Sequence, residues 1–149
     1  MINTVLAYII KNEKILLLYR NKKKNDINEG KWIGVGGHIE KDETPEDALL
    51  REVKEETGYD VVSFMKRGVV YFVNNDFKEA MHLYVITDVA GDLTECDEGE
   101  LKYFSINRIN QLPMWEGDHI FLNRLLKDDK YFELTLTYDG DKLLSYRFE

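Results

Sequence analysis

Glu52, Glu55 and Glu56 stand at i, i+3 and i+4 of the stretch Arg51-Glu52-Val53-Lys54-Glu55-Glu56. On a helix that spacing stacks three carboxylates along one stripe. Like charges so placed repel, and near a helix C-terminus the macrodipole opposes anions as well. A helix face that needed only to be solvated would intersperse lysine. The stripe becomes favourable when a divalent cation neutralises it, and a carboxylate-held cation can bind phosphate oxygens and acidify a water. The first expectation is therefore a metal platform for phosphate chemistry. Gly34-Val35-Gly36-Gly37 precedes it, a turn whose backbone can approach an ion closely and offer it a carbonyl.

The stripe needs a helix, and the flanking residues punctuate one. Thr44 is the expected N-cap, Pro45 suits the first helical position, Asp47 completes a capping-box spacing and Gly58 stops the helix. Leu49, Leu50 and Val53 form the expected packing flank, and small Ala48, one turn before Glu52, lets the glycine turn lie close. Around this helix the pattern predicts strands over Thr4–Ile10 and Lys14–Tyr19, and a short glycine-broken one over Lys31–Gly37. Further strands are expected over Val69–Val73, His82–Val89 and Leu101–Ser105. His119–Leu126 has helical spacing, and Glu133–Tyr138 with Leu143–Phe148 makes a hairpin about Asp139-Gly140-Asp141. Strands on both sides of one helix, with a second helix late in the chain, indicate an α/β sandwich rather than regular βαβ winding.

The 149 residues, 44% hydrophobic and 12% aromatic, fit a single globular domain spanning 1–149. A formal charge of −8 without a basic stripe argues against nucleic acid as partner. An acidic protein can still take an anionic small molecule when metal stands between them. Cys96 is the single cysteine, which excludes an internal disulfide and zinc sites built on cysteine pairs, and is read as a reduced thiol. The apolar run Val5–Ile10 is far too short to span a bilayer and lacks a basic leader, so the expectation is cytoplasmic, with no membrane partner. His82 and His119 lack metal-ligand spacing and are read as structural.

Gly37, five residues, Glu43, seven residues, then Arg51-Glu52-Val53-Lys54-Glu55-Glu56-Thr57-Gly58-Tyr59 is similar to the Nudix box at each of its fixed positions. The resemblance implies an α/β fold, a Nudix-type α/β/α sandwich with a mixed β-sheet and a catalytic loop–helix–loop. It implies Mg2+ as cofactor, with Mn2+ as a possible substitute, held by Glu52, Glu55, Glu56 and the Gly37 backbone. Arg51 and Glu43 resemble the pair that braces the loop against the helix. The implied reaction is attack of an activated water on a phosphorus of a nucleoside diphosphate carrying a further group. A general base is expected from the box or from the loop Glu95–Glu100; Glu98 and Glu100 are both candidates there. Glu100, which directly precedes the strand at Leu101, is preferred as base and is counted among the metal ligands.

Gly30-Lys31-Trp32-Ile33-Gly34-Val35-Gly36-Gly37 resembles the lead-in of the MutT branch, which cleanses oxidised purine nucleoside triphosphates. Pro113-Met114-Trp115-Glu116-Gly117-Asp118 is similar to the segment of the mammalian-type enzymes where a Trp stacks on the base and acids read its edge. Ile33 stands where that branch has Asn, and Gly117-Asp118 where it has two Asp. The substrate-binding candidates are Trp115, Asp118, Ile33, Gly36, Gly37 and His38. Competing readings stand beside them: Trp115 packed on the following helix, Trp32 as a core anchor, Asp118 as that helix's N-cap. Arg20 and Lys22 to Lys24 either reach phosphates or form a solvated loop. The implied function is an 8-oxo-dGTP diphosphatase-like pyrophosphohydrolase, acting on a small nucleotide as monomer or homodimer. The alternatives are another Nudix substrate (ADP-ribose, a dinucleoside polyphosphate, dihydroneopterin triphosphate) or a non-catalytic nucleotide sensor.

Overall fold

The computed structural model describes residues 1–22 and 26–149. Lys23 and Lys24, candidates for phosphate contact, lie outside the described residues. In chain order the elements are β1 (Ile2–Lys11), β2 (Lys14–Arg20), β3 (Trp32–Ile33), β4 (Val35–His38), α1 (Pro45–Thr57), β5 (Asp60–Asn74) and β6 (Phe77–Ala90). They continue with β7 (Gly99–Ser105), a 3-10 turn (Ile106–Gln111), α2 (Glu116–Lys127), β8 (Phe132–Asp139) and β9 (Lys142–Phe148).

Alternation along β1 sets the layering. Val5, Ala7 and Ile9 turn to one face, while Tyr8, flanked by Leu6 and Ile10, turns to the other. A strand apolar on both faces belongs inside a sheet covered on both sides. β1 runs parallel to β6 along one edge, and antiparallel to β4 and β2 along the other. The mixed sheet has the order β3-β2-β1-β6-β5-β8-β9, with β4 on β1 and β7 on β2. One face meets α1, where Ala48, Leu49 and Val53 pack on Val5, Ala7, Ile9 and Leu16. The other meets α2, where Phe121, Leu122 and Leu125 pack on Tyr8, Val70, Leu83 and Leu134. Each such leucine or phenylalanine stabilises the fold by about 1.5–3 kcal/mol relative to exposure. The result is the expected α/β/α sandwich.

Several boundaries differ from expectation. Leu50, expected beside Leu49 and Val53, is 44% exposed. One residue on a helix is a turn of about 100°, which carries Leu50 off the packed stripe. β5 starts at Asp60 rather than Val69, because register shifts at Val61–Phe64 and Lys66–Gly68 let a non-alternating stretch keep pairing with β6. α2 starts at Glu116 rather than His119, with Trp115 as its N-cap residue and Asp118 already inside its first turn. Asp118 is therefore not the N-cap.

Arg67 was not singled out by sequence. It is 2% exposed, and its guanidinium donates to the carbonyls of Leu125, Asp128 and Lys130 at 3.1, 2.6 and 3.0 Å. These are unpaired C=O groups at and after the end of α2, so Arg67 ties that helix to β5.

Candidate active site

The caps that fix α1 fix its acidic stripe. Thr44 Oγ1 accepts from the Asp47 amide at 3.1 Å, and Asp47 Oδ2 accepts from the Thr44 amide at 3.1 Å. Gly58 ends the helix at φ 82°, a left-handed conformation that glycine adopts without strain. With Ala48 and Val53 inward, Glu52 and Glu56 turn toward β4. The Gly36 amide donates to Glu56 Oε2 at 2.9 Å. At Gly37 a Cβ would lie 2.5 Å from the Glu52 carboxyl carbon, so any larger residue would displace that carboxylate.

Arg51 organises the rest of the stripe. It grips Glu43 with two bonds of 2.8 and 2.9 Å and reaches the His38 carbonyl at 3.0 Å. Its third nitrogen meets Glu52 at 2.7 Å and Glu55 at 3.5 Å. Hydrogen bonding from Arg51 holds the Glu43 carboxyl down to about 2. The repulsion expected among three stacked carboxylates is thus divided, because Glu52 and Glu55 lean on Arg51. Glu55, largely exposed, stays on the outer side of the stripe.

Among the described residues Glu56 has no such cation. It is 6% exposed, and burial first, then the charges of Glu98 and Glu52, push its carboxyl up to about 9 against the opposing Gly36 amide. Its near neighbour Glu98 sits in a tight turn closed by the Cys96–Gly99 bridge. Donor atoms of Glu56, Cys96 and Glu98 lie within 4.8 Å of one another. Arg20 reaches Glu98 at 3.4 Å and pairs with Asp26 at 2.6 Å. Glu100, the preferred partner by sequence, is not brought here. It is exposed on β7 opposite Tyr19, beside a separate groove with Lys22 and Lys102. The bridge at Cys96–Gly99 folds the preceding turn toward α1, so the loop acid at the stripe is Glu98. Closely placed carboxylate oxygens, buried at Glu56 and partly buried at Glu52 and Glu98, with one amide donor are the donor set that a hard divalent cation satisfies.

These acids form one end of a cleft of about 700 Å³. Gly36, Gly37 and exposed His38 lie along it, and Ile33, Trp115 and Asp118 meet at its other end with Phe72, Phe77 and Met81. Trp115 is 8% exposed, packs edge-on to Phe72 and Tyr138, and donates its indole N–H to Asn28 Oδ1 at 2.7 Å. Lys31 Nζ sits 4.6 Å from the ring centre. Asp118 is 8% exposed, and burial followed by the charge of Glu79 pushes its carboxyl up to about 8, with Lys31 opposing. No side chain fits at 117: a Cβ would lie 2.5 Å from Leu136 and 2.9 Å from the Tyr138 hydroxyl, which accepts from the Gly117 amide.

The NUDIX domain model matches residues 2–125. This chain belongs to the Nudix family. It is a Nudix hydrolase, acting on phosphorus-containing acid anhydrides. The oxidized purine nucleoside triphosphate hydrolase of Mus musculus is 30% identical over 143 residues, covering 95% of this chain and 90% of that protein. The ADP-ribose pyrophosphatase of Methanocaldococcus jannaschii is 31% identical over 125 residues, covering 80% of this chain and 68% of that protein. The crystal structure of the mutator MutT protein from Bacillus halodurans superposes with a TM-score of 0.91 at 25% identity, covering 100% of this chain and 98% of that one.

Other expected residues take structural places. Trp32 packs between Tyr19 and Phe104 at 4.8 and 4.7 Å, the core-anchor reading. His119 Nε2 meets the carbonyls of Ile109 and Leu112, and His82 Nδ1 meets Lys66 Nζ. Among the described residues no helix is long and apolar enough to cross a membrane. Thr4, Asn28, Phe72 and Glu79 at the cleft were missed by sequence. For Glu79 a signal existed: Phe77, Glu79 and Met81 alternate along β6, so one polar residue interrupts an apolar face.

Proposed function

We propose that this Nudix hydrolase is a Mg2+-dependent nucleoside triphosphate pyrophosphohydrolase of the 8-oxo-dGTP diphosphatase type, releasing a nucleoside monophosphate and pyrophosphate. The observation that carries the reading is the single cleft with an acidic end at Glu52, Glu56 and Glu98 and an aromatic end at Trp115. A triphosphate laid along it places phosphates by the acids and the base against the indole. Bound Mg2+, or Mn2+ in its place, supplies charge neutralisation and an acidified water. Glu56 and Glu52 would hold the ion, and the Gly36 amide keeps Glu56 aimed. Glu98, beside Glu56 and tethered by Arg20, is the carboxylate placed to accept a proton from the attacking water. Arg51 and Glu43 keep Glu52 and the glycine strand in register. Stacking on Trp115 requires Lys31 to yield the ring face that it now covers.

The test is pyrophosphate release with Mg2+ across a panel of nucleoside triphosphates, ADP-ribose and dinucleoside polyphosphates. 8-oxo-dGTP should be turned over far better than dGTP. Equal rates on the two, or activity confined to sugar-linked diphosphates, would sink the assignment. Glu56→Gln should keep its melting behaviour and lose roughly 100-fold or more in turnover, beyond the usual cost of losing an outer-shell partner. Undiminished turnover by that variant would exclude Glu56 as a ligand.

A further inference from the structure

The aromatic end of the cleft holds two carboxyl groups from different elements. Asp118 comes from the first turn of α2, and Glu79 from β6, where it lies in register between Ile2 of β1 and Phe72 of β5. Both line the cleft, and the charge of Glu79 acts on the Asp118 carboxyl. Their circumstances differ. Thr4 Oγ1 donates to Glu79 Oε2 at 2.7 Å, which holds that carboxylate in one rotamer and leaves Oε1 uncommitted. Asp118 is more than nine-tenths buried, and among the described residues nothing hydrogen-bonds its carboxyl. A largely buried carboxyl left open only toward the cleft is placed to hydrogen-bond a ligand's polar edge.

The two acids offer different chemistry. Glu79, anchored by a donated hydrogen bond, presents an acceptor. Asp118, pushed up to about 8 by burial and by Glu79, carries its proton at neutral pH and so presents one O–H donor beside one acceptor. The complementary edge reads acceptor, donor, donor. Guanine-type bases carry it, as O6, N1–H and the exocyclic 2-amino group, whereas adenine-type bases place an amine at position 6 and nothing at position 2. Resting on the nucleotide-hydrolase reading above, we infer that Glu79 is a specificity-determining residue. It accepts from the 2-amino group of a guanine-type base while Asp118 pairs with O6 and N1–H, so the chain selects amine-bearing purines.

The test deletes the amine from the ligand and the carboxylate from the protein. Turnover is compared for 8-oxo-dGTP, 8-oxo-dITP, dGTP and dITP with the wild type, Glu79→Leu and Glu79→Gln, each checked by thermal melting. The wild type should prefer each guanine nucleotide over its hypoxanthine partner by roughly tenfold or more in kcat/KM, the size of a hydrogen bond to a charged acceptor. Glu79→Leu should bring that ratio to within about threefold by slowing only the guanine nucleotides. Glu79→Gln, which keeps an acceptor without charge, should fall between. A wild type indifferent to the amine, or either variant keeping the full preference, overturns the inference and leaves the hydrolase reading standing. If none of the four nucleotides is turned over while another substrate is, both fall together.

Discussion

Asp118→Asn gives the sharpest physical test of the aromatic end, because it keeps the shape of the side chain and removes only the possibility of charge. The Asp118 carboxyl is pushed up from 3.8 to about 8, first by burial and then by Glu79. Of the other groups facing it, Lys31 opposes that shift, while the buried hydroxyls of Tyr8 and Tyr138 feel its charge. An acid whose folded value is raised binds its proton more tightly in the native state than in the unfolded chain. Its contribution is therefore intact below about pH 4, where both states are protonated. It is lost progressively as pH rises from the unfolded value to the folded one. The slope is about 1.36 kcal/mol per pH unit, so between pH 3.8 and 7 the wild type gives up about 4 kcal/mol at this position. Asparagine has no such slope.

The assay is thermal or urea unfolding of wild type and Asp118→Asn at half-unit steps from pH 4 to 9, without added metal. The two curves should diverge steadily from about pH 4 and run parallel above about pH 8, with the variant the more stable. Near neutrality, at about 2–4 °C per kcal/mol for a chain of this length, the gap in Tm is about 10 °C. Curves that stay parallel throughout would refute the reasoning. They would mean that the carboxyl is as well solvated in the cleft as in the unfolded chain, and its role as a neutral donor would go with it.

Two further perturbations address the supports of the site. Arg51→Lys keeps the charge but loses the paired grip on Glu43, so turnover should fall about 10- to 100-fold with little change in Tm; wild-type turnover would remove Arg51 from the positioning network. Arg67→Met strips three carbonyls near the end of α2 of their donor and should lower stability by about 3 kcal/mol, or roughly 6–12 °C in Tm, with KM unchanged. A melt within a degree of the wild type would show those carbonyls satisfied otherwise.

The acidic end of the cleft was legible in sequence because it is local. Thr44, Asp47, Gly58 and the glutamates lie within one loop–helix–loop, where caps and a 3.6-residue period fix geometry over a few turns. Glu98 against Glu100 was not decidable that way. Alternation ties a side chain's direction to the start of its strand, and the Cys96–Gly99 bridge turns the chain just before β7 begins. Leu50 shows the same limit at a smaller scale: hydrophobicity suggested burial, and helical phase denied it. The aromatic end depends on pairing between distant strands. Thr4, Phe72, Glu79 and Trp115 come together only because β1 lies parallel to β6 and β5 antiparallel to it, relations that no local pattern specifies.

This division has a consequence for how the family's chemistry and its substrates can vary. The groups proposed to handle phosphate come from α1, β4 and one turn, and are fixed by Arg51, by the Gly36 amide and by the lack of a side chain at Gly37. The groups that face the far end come from β1, β5, β6 and α2, on the opposite side of the sheet from α1. Among the described residues Thr4, Ile33, Glu79 and Asp118 make no hydrogen bond to the stripe, so substitutions there can reshape that end while the stripe keeps its supports. The link between the ends runs instead through Arg20, Asp26, Asn28 and Trp115. Relatives named for an oxidized purine nucleoside triphosphate and for ADP-ribose are accordingly about equally identical to this chain, at 30% and 31%. Overall identity therefore does not choose between the two, and the choice rests on the side chains at the far end of the cleft.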